Sequence, residues 1–214
     1  MNKTPTPSTD ELRHRHLRIT QASPWVERFT WLIPENGSVL DLAAGGGRHS
    51  EHLLKSGYRV TAVDQHPEPL EHLKNHKNAE ILCVDLETPS SPFAKNGILS
   101  GRQFDGIVCI NYLHRPLFDD ILKALNPGGV LIYETFQLGN EAYARPRNPD
   151  HLLKNQELLD WVQGQMQIIA FEQGIVQQGD IPGVKQRVCA IKDLDLSNRD
   201  DQQPDLHPLY PMAR

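Results

Sequence analysis

The sequence predicts an α/β fold, a doubly wound, mostly parallel seven-stranded sheet with a reversed last strand. Three observations predict it. The apolar run Val39-Leu40-Asp41-Leu42 leads into three glycines, Gly45 to Gly47, and then into a helical stretch from Arg48 to Lys55. Short buried strands and helices alternate from there to Glu134, which is the pattern of parallel β–α units. The last two apolar runs, Met166–Val176 and Val184–Ile191, are separated by the turn Asp180-Ile-Pro-Gly183 and pair as an antiparallel hairpin.

A chain of 214 residues suits one α/β domain with a short extension. We divide it into a flexible N-terminal arm (1–22), a domain (23–193) and a polar, proline-containing C-terminal tail (194–214). The net charge is −5 and no block of five basic residues occurs, which argues against a general nucleic-acid surface. There is no apolar run of 18 residues and no signal-type segment at the start, so a cytoplasmic protein without a membrane anchor is expected. Cys83, Cys109 and Cys189 are widely spaced in strand-like runs. They read as buried thiols in a reducing compartment, not as a disulfide framework or a metal site.

Residues 1–10 are rich in Thr, Pro and Ser, and Glu11–Ile19 reads as a polar helix or arm. His14 and His16 flank Arg15 without a third ligand, so they read as a solvated face. Ser23-Pro24 forms an N-cap and first-turn pair. Trp25, Phe29 and Leu32 follow at helical spacing.

The glycine turn has two competing readings. A dinucleotide fingerprint fits Gly45 and Gly47, but its third glycine falls on Ser50. The second reading weighs Asp41, whose carboxylate would repel a pyrophosphate and attract a cation. Both readings place a ligand against the backbone, since glycine permits close approach and a helix N-terminus offers free N–H groups.

The helix closes at Gly57, and Arg59–Asp64 is the second strand. It ends in an acid 23 residues after Asp41, where nucleotide-binding α/β folds hold ribose hydroxyls. His66–Lys77 is expected to be helical, opening with Pro67. The pairs His72/His76 and His49/His52 read as solvent-facing polar stripes, and no metal site is expected. Ala79–Val84 is the third strand, followed by Asp85 and an irregular stretch, Thr88–Gln103. Phe104–Ile110 is the fourth strand and the neighbour of the first, so Asn111 to Arg115 face the switch point where ligands bind. A helix from Pro116 to Leu125 stops at Asn126-Pro127-Gly128-Gly129, before the fifth strand, Val130–Glu134. Phe136–Leu153 is a long loop ahead of a helix over Asn155–Gln163. Its Arg145 and Arg147 either grip an anionic substrate or are exposed side chains stiffened by prolines.

Four motifs in order carry a resemblance over Trp25–Phe136. They are Asp41-x-Ala43-x-Gly45-x-Gly47, the acid Asp64, the acid Asp85, and the phrase Leu125-x-Pro-Gly-Gly-x-Leu-Ile. This chain resembles the class I (Rossmann-like) S-adenosylmethionine (SAM) methyltransferases. Within them it resembles the small, cofactor-domain-only enzymes of the tellurite-resistance and ubiquinone-biosynthesis type. Many members have glycine where Ala43 stands.

The resemblance implies SAM as cofactor, held by Asp41, Ala43, Gly45 and Gly47 and covered by the helix around Trp25. It places Asp64 on the ribose and Asp85 with the Leu86 N–H on the adenine, and Asn111 within reach of either ligand. His114 is the candidate base, and Tyr112 orients the substrate or faces the sulfonium. Arg115, Tyr143, Arg145 and Arg147 are candidates for substrate binding. Asn111-Tyr112 lacks both prolines of the Asn-Pro-Pro-Tyr motif, so that motif's amino-group substrates do not carry over.

The activity expected is methyl transfer to a small-molecule acceptor by in-line displacement. The alternatives are a methyltransferase acting on tRNA or protein, and a SAM-binding regulatory module without turnover. An NAD-dependent oxidoreductase is disfavoured by Asp41 and Ser50. The sequence assigns no oligomeric state.

Overall fold

The computed structural model describes residues 19–178, 181–196, 199–201 and 203–211. Most of the N-terminal arm, with His14 and His16, lies outside them, as does Asp180 of the hairpin turn. The elements run α1 (Pro24–Phe29), β1 (Ser38–Leu42), α2 (Arg48–Lys55), β2 (Arg59–Asp64), β3 (Ala79–Cys83) and β4 (Phe104–Ile110). They continue α3 (Phe118–Lys123), β5 (Leu125–Phe136), α4 (Glu157–Val162), β6 (Gln167–Gln178) and β7 (Ile181–Ile191).

The seven strands form one sheet in the order β3-β2-β1-β4-β5-β7-β6. β3, β2, β1, β4 and β5 pair in parallel, and β7 is antiparallel to both β5 and β6. This is the expected doubly wound sheet with its reversed strand.

Alternation along the strands feeds two cores. Leu40 and Leu42 of β1 join Ile107 and Cys109 of β4 on one face. Val39 joins Val108 and Ile110 on the other. A parallel strand covered on both faces needs such a continuous apolar run. α1 closes the second face: Trp25 and Phe29 pack edge to face, with ring centroids 4.6 Å apart, and the Trp25 Nε1 donates to the Val188 carbonyl at 3.2 Å.

Several elements differ from expectation. Residues 66–77 form only a 3-10 segment, Glu68–Leu73. Pro67 and Pro69 disfavour helical backbone at His66 and Glu68, the residues before them, and Pro69 lacks the donor that a helix begun at His66 would need. The helix expected at 116–125 is a 3-10 turn, Arg115–Leu117, followed by the short α3; Leu125 already pairs with Phe104, and an irregularity precedes the Gly106–Val130 pair. α4 is shorter than expected at both ends.

Cys83 is exposed rather than buried, because β3 is an edge strand with little packed against it. His49 is buried, contrary to the polar-stripe expectation. It lies one turn before Leu53, on the face of α2 that enters the core. Among the described residues, no helix is long and apolar enough to cross a membrane.

Candidate active site

The glycine turn lies at the carboxyl end of β1, where it joins α2, and strained backbone surrounds it. Ala43 has φ 58° and Asn111, at the tip of the neighbouring β4, has φ 61°. A non-glycine residue in this region costs roughly 1–2 kcal/mol, so glycine is the low-strain residue at position 43. Gly47, φ +78°, is also confined: a Cβ there would lie 2.8 Å from Leu70 Cδ2 and 3.0 Å from Leu73 Cδ1. The 3-10 segment after β2 thus packs under the turn.

Two acids fix the turn and the helix that follows it. Asp41 is 1 % exposed and accepts the Ser50 hydroxyl at 2.6 Å. Burial pushes its pKa up to about 6, against the lowering effect of Ser50 and Arg48. Asp41 braces the first turn of α2 through Ser50. Ser50, the residue that breaks the dinucleotide fingerprint, is its partner.

Asp64, half-buried at the tip of β2, accepts the Gly45 N–H at 2.8 Å and the His66 N–H at 2.9 Å. Each oxygen keeps a free lone pair. Asp85 lies two residues beyond β3, is exposed, and accepts the Glu87 N–H at 2.9 Å. The Leu86 side chain is buried, and its N–H makes no hydrogen bond among the described residues.

Asn111 to Arg115 emerge from β4 at the same edge of the sheet. Asn111 is exposed, donates its backbone N–H to the Glu134 carbonyl at 2.7 Å, and accepts the Lys185 ammonium on Oδ1 at 2.8 Å. Tyr112 is partly buried, and its hydroxyl lies under the influence of Glu87 without a hydrogen bond of good geometry among the described residues. Desolvation first, then the charges of Glu87 and Asp85, hold its pKa well above the usual phenol value, so it is a neutral phenol and no base at neutral pH. His114 is half-buried, and its imidazole makes no hydrogen bond among the described residues. Arg115 is engaged within the chain. It donates to Glu157 at 2.5 and 2.9 Å and to the carbonyls of Asp150 and Leu152 at 2.8 and 2.9 Å. Its guanidinium ties the 137–156 loop to the end of β4.

That loop carries Tyr143, Arg145 and Arg147, all exposed. Its shape depends on Asn140, a fully buried residue absent from the sequence-based candidates. The Asn140 amide donates to the carbonyls of Ala144 (3.4 Å) and Pro146 (3.2 Å) and accepts the Val184 N–H at 3.1 Å.

A buried ionic network behind the tip of β4 was also not legible in the sequence. Glu134, 0 % exposed, pairs with Lys185, accepts the Ser23 hydroxyl at 2.8 Å, and lies 3.2 Å from Arg187 Nε. Burial opposes its charge, but Lys185 and Arg187 hold its pKa below the ordinary value. His49 sits nearby with an unpartnered Nε2, its pKa pushed down to about 2 by burial and by Arg48, Lys185 and His52. A surface cleft of about 410 Å³, lined by Arg59, Lys77 and Arg102 among others, opens at the opposite, amino edge of the sheet and is separate from this site.

Comparison with known proteins agrees with this geometry. Residues 40–131 match a family described as "Methyltransferase domain". A ubiquinone biosynthesis O-methyltransferase of Actinobacillus pleuropneumoniae is 33 % identical over 112 residues, which are 49 % of this chain and 48 % of that protein. One from Histophilus somni is 33 % identical over 113 residues, 50 % and 48 % of the two chains. The chain thus matches about half the length of these curated relatives.

Among solved structures, TehB from Haemophilus influenzae superposes with a TM-score of 0.67 at 18 % identity, covering 86 % of this chain and 66 % of that one. The 1,6-didemethyltoxoflavin-N1-methyltransferase of Burkholderia thailandensis, solved with S-adenosylhomocysteine, gives 0.57 at 16 % identity, covering 90 % and 93 %. The fold is that of the class I SAM-dependent methyltransferases. Residues 40–131 are the part of the chain that is similar to the methyltransferase domain family.

Proposed function

We propose that the protein is a SAM-dependent methyltransferase that acts on a small molecule. The observation that carries this reading is the half-buried carboxylate of Asp64, bound to the Gly45 N–H with lone pairs to spare, at the tip of the strand beside the glycine turn. A ribose diol is a donor pair that such a carboxylate suits. The residues fit the rest of the cofactor as well. The unbound Leu86 N–H and the Asp85 carboxylate form a donor and acceptor pair for a purine edge. The field of Asp41 favours the cationic methionine end. Bound there, SAM supplies an electrophilic methyl group and leaves as a neutral thioether, so no acid is needed.

The chain's own task is to bind, orient and exclude water. Orientation is worth up to roughly 7–11 kcal/mol in favourable reactions. The Tyr112 phenol remains protonated and presents a donor or a ring face. His114 is the base where the acceptor carries a proton at working pH. Tyr143, Arg145 and Arg147, exposed on the 137–156 loop, are the residues we assign to an anionic acceptor.

The small-molecule assignment draws on relatives named for ubiquinone biosynthesis and on a neighbour named for a toxoflavin precursor. The acidic balance, −5, weighs against a nucleic-acid substrate. Cytoplasmic placement belongs to this same reading, supported by two buried free thiols, Cys109 and Cys189. The test is release of S-adenosylhomocysteine from SAM, with the full chain incubated with fractionated small-molecule and macromolecular extracts. Release with the small-molecule fraction is expected. Release only with the macromolecular fraction, or binding without release in any fraction, overturns the assignment.

A further inference from the structure

The Lys185 ammonium has three partners. It pairs with Glu134, donates to Asn111 Oδ1 at 2.8 Å, and lies 4.9 Å from the centroid of the Phe136 ring. It is 4 % exposed, fixed on β7 opposite Phe136. An ammonium only donates, so it settles which end of the Asn111 amide faces it: the oxygen does. The Nδ2 group is left pointing away from Lys185. Asn111 is exposed at the tip of β4, and its Nδ2 makes no hydrogen bond among the described residues. The carboxyl end of β4 thus offers a pair of free N–H donors. Arg48, Lys185 and Arg187 all act on the buried acid Glu134, and Arg48 also acts on Asp41, so the polarity at this point is set by the Asn111 donors rather than by a net charge.

We propose that Lys185 acts through Asn111 as a positioning residue that sets the polarity of the acceptor end of the site, so that the methyl acceptor enters with a lone-pair-bearing oxyanion, such as a phenolate or carboxylate, against the Asn111 N–H. This rests on the SAM reading above and narrows its substrate class. A protonated amine at the same place would meet donors and gain nothing.

The test uses the full chain saturated with S-adenosylhomocysteine and two probes of one skeleton and opposite polarity, benzoate and benzylammonium. Calorimetry gives their affinities, and the side-chain amide resonances of Asn111 report contact. Benzoate is expected to shift those resonances and to bind at least about tenfold more tightly than benzylammonium. Asn111→Asp is the decisive variant. It is exposed, keeps an acceptor for Lys185 and removes the donor, so the preference should vanish or invert while S-adenosylhomocysteine affinity stays within about twofold. Lys185→Gln, whose side chain can serve either end of the amide, should weaken the preference; should it fail to fold, Asn111→Asp alone decides.

The proposal is overturned in several ways. Benzylammonium could bind as well as benzoate, or neither probe could reach Asn111. Asn111→Asp could leave the preference intact. Asn111→Asp could also weaken S-adenosylhomocysteine about tenfold, in which case the amide serves the cofactor. Failure of S-adenosylhomocysteine to bind the unaltered chain sinks the underlying reading instead, and this proposal falls with it.

Discussion

Asp41 shows how one side chain couples fold and site. Its folded pKa is about 6 against an ordinary 3.8, raised chiefly by burial. A raised carboxylate pKa means that the native state binds the proton more tightly than the unfolded chain. Stability is therefore lost as pH rises from about 4 to about 6, by roughly 3 kcal/mol when ionisation is complete. Asp41→Asn keeps an acceptor for Ser50 and abolishes the titration. Urea unfolding at pH 4 and pH 7 should show the variant gaining on the wild type by about that amount at the higher pH. A pH-independent difference would refute this role.

Gly47 makes a steric prediction at the same scale. With φ +78° and Leu70 Cδ2 2.8 Å from an added Cβ, Gly47→Ala combines backbone strain with a clash. We expect a loss of about 1–3 kcal/mol in denaturant unfolding. A change within about 0.5 kcal/mol would show that the turn is not held as described.

At the scale of elements, the 137–156 loop depends on Arg115 and Asn140 more than on its exposed arginines. Arg115 makes two hydrogen bonds to the loop, at the Asp150 and Leu152 carbonyls, and two to Glu157 at the start of α4. Arg115→Ala should raise the rate of proteolytic cleavage within the loop about tenfold, an opening free energy lower by about 1.4 kcal/mol. S-adenosylhomocysteine affinity should stay unchanged. Unchanged cleavage would mean that the loop is held by Asn140 and its own packing.

The inner parallel strands were legible because β1, β2 and β4 are short, mostly apolar runs with a polar residue at or next to the carboxyl end. β2 and β4 have the bounds expected of them, Arg59–Asp64 and Phe104–Ile110. The helices were less legible. Near residue 68 two prolines override the helical pattern, and near residue 118 strand pairing claims the helix end.

At the scale of the molecule, the acids Asp64 and Asp85 and the glycine turn were readable because local spacing places them at successive strand ends. The Ser23–Glu134–Lys185–Asn111 network was not. Ser23 and Glu134 lie 111 residues apart in sequence, and Lys185 and Asn111 lie 74 apart. Only the order β4-β5-β7 brings them together, and a lone lysine inside an alternating strand carries no signal of its own. The burial of His49 was hidden for a related reason, since it depends on which face of α2 meets α1 and the sheet.

The central claim is that the carboxyl edge of β1, β2 and β4 forms a binding site for SAM. Calorimetric titration of the full chain with SAM tests it most directly. We predict one-to-one binding with a dissociation constant on the order of micromolar to tens of micromolar, within the usual range for enzyme ligands. Absence of binding heat up to about millimolar SAM, at two temperatures, would contradict the account.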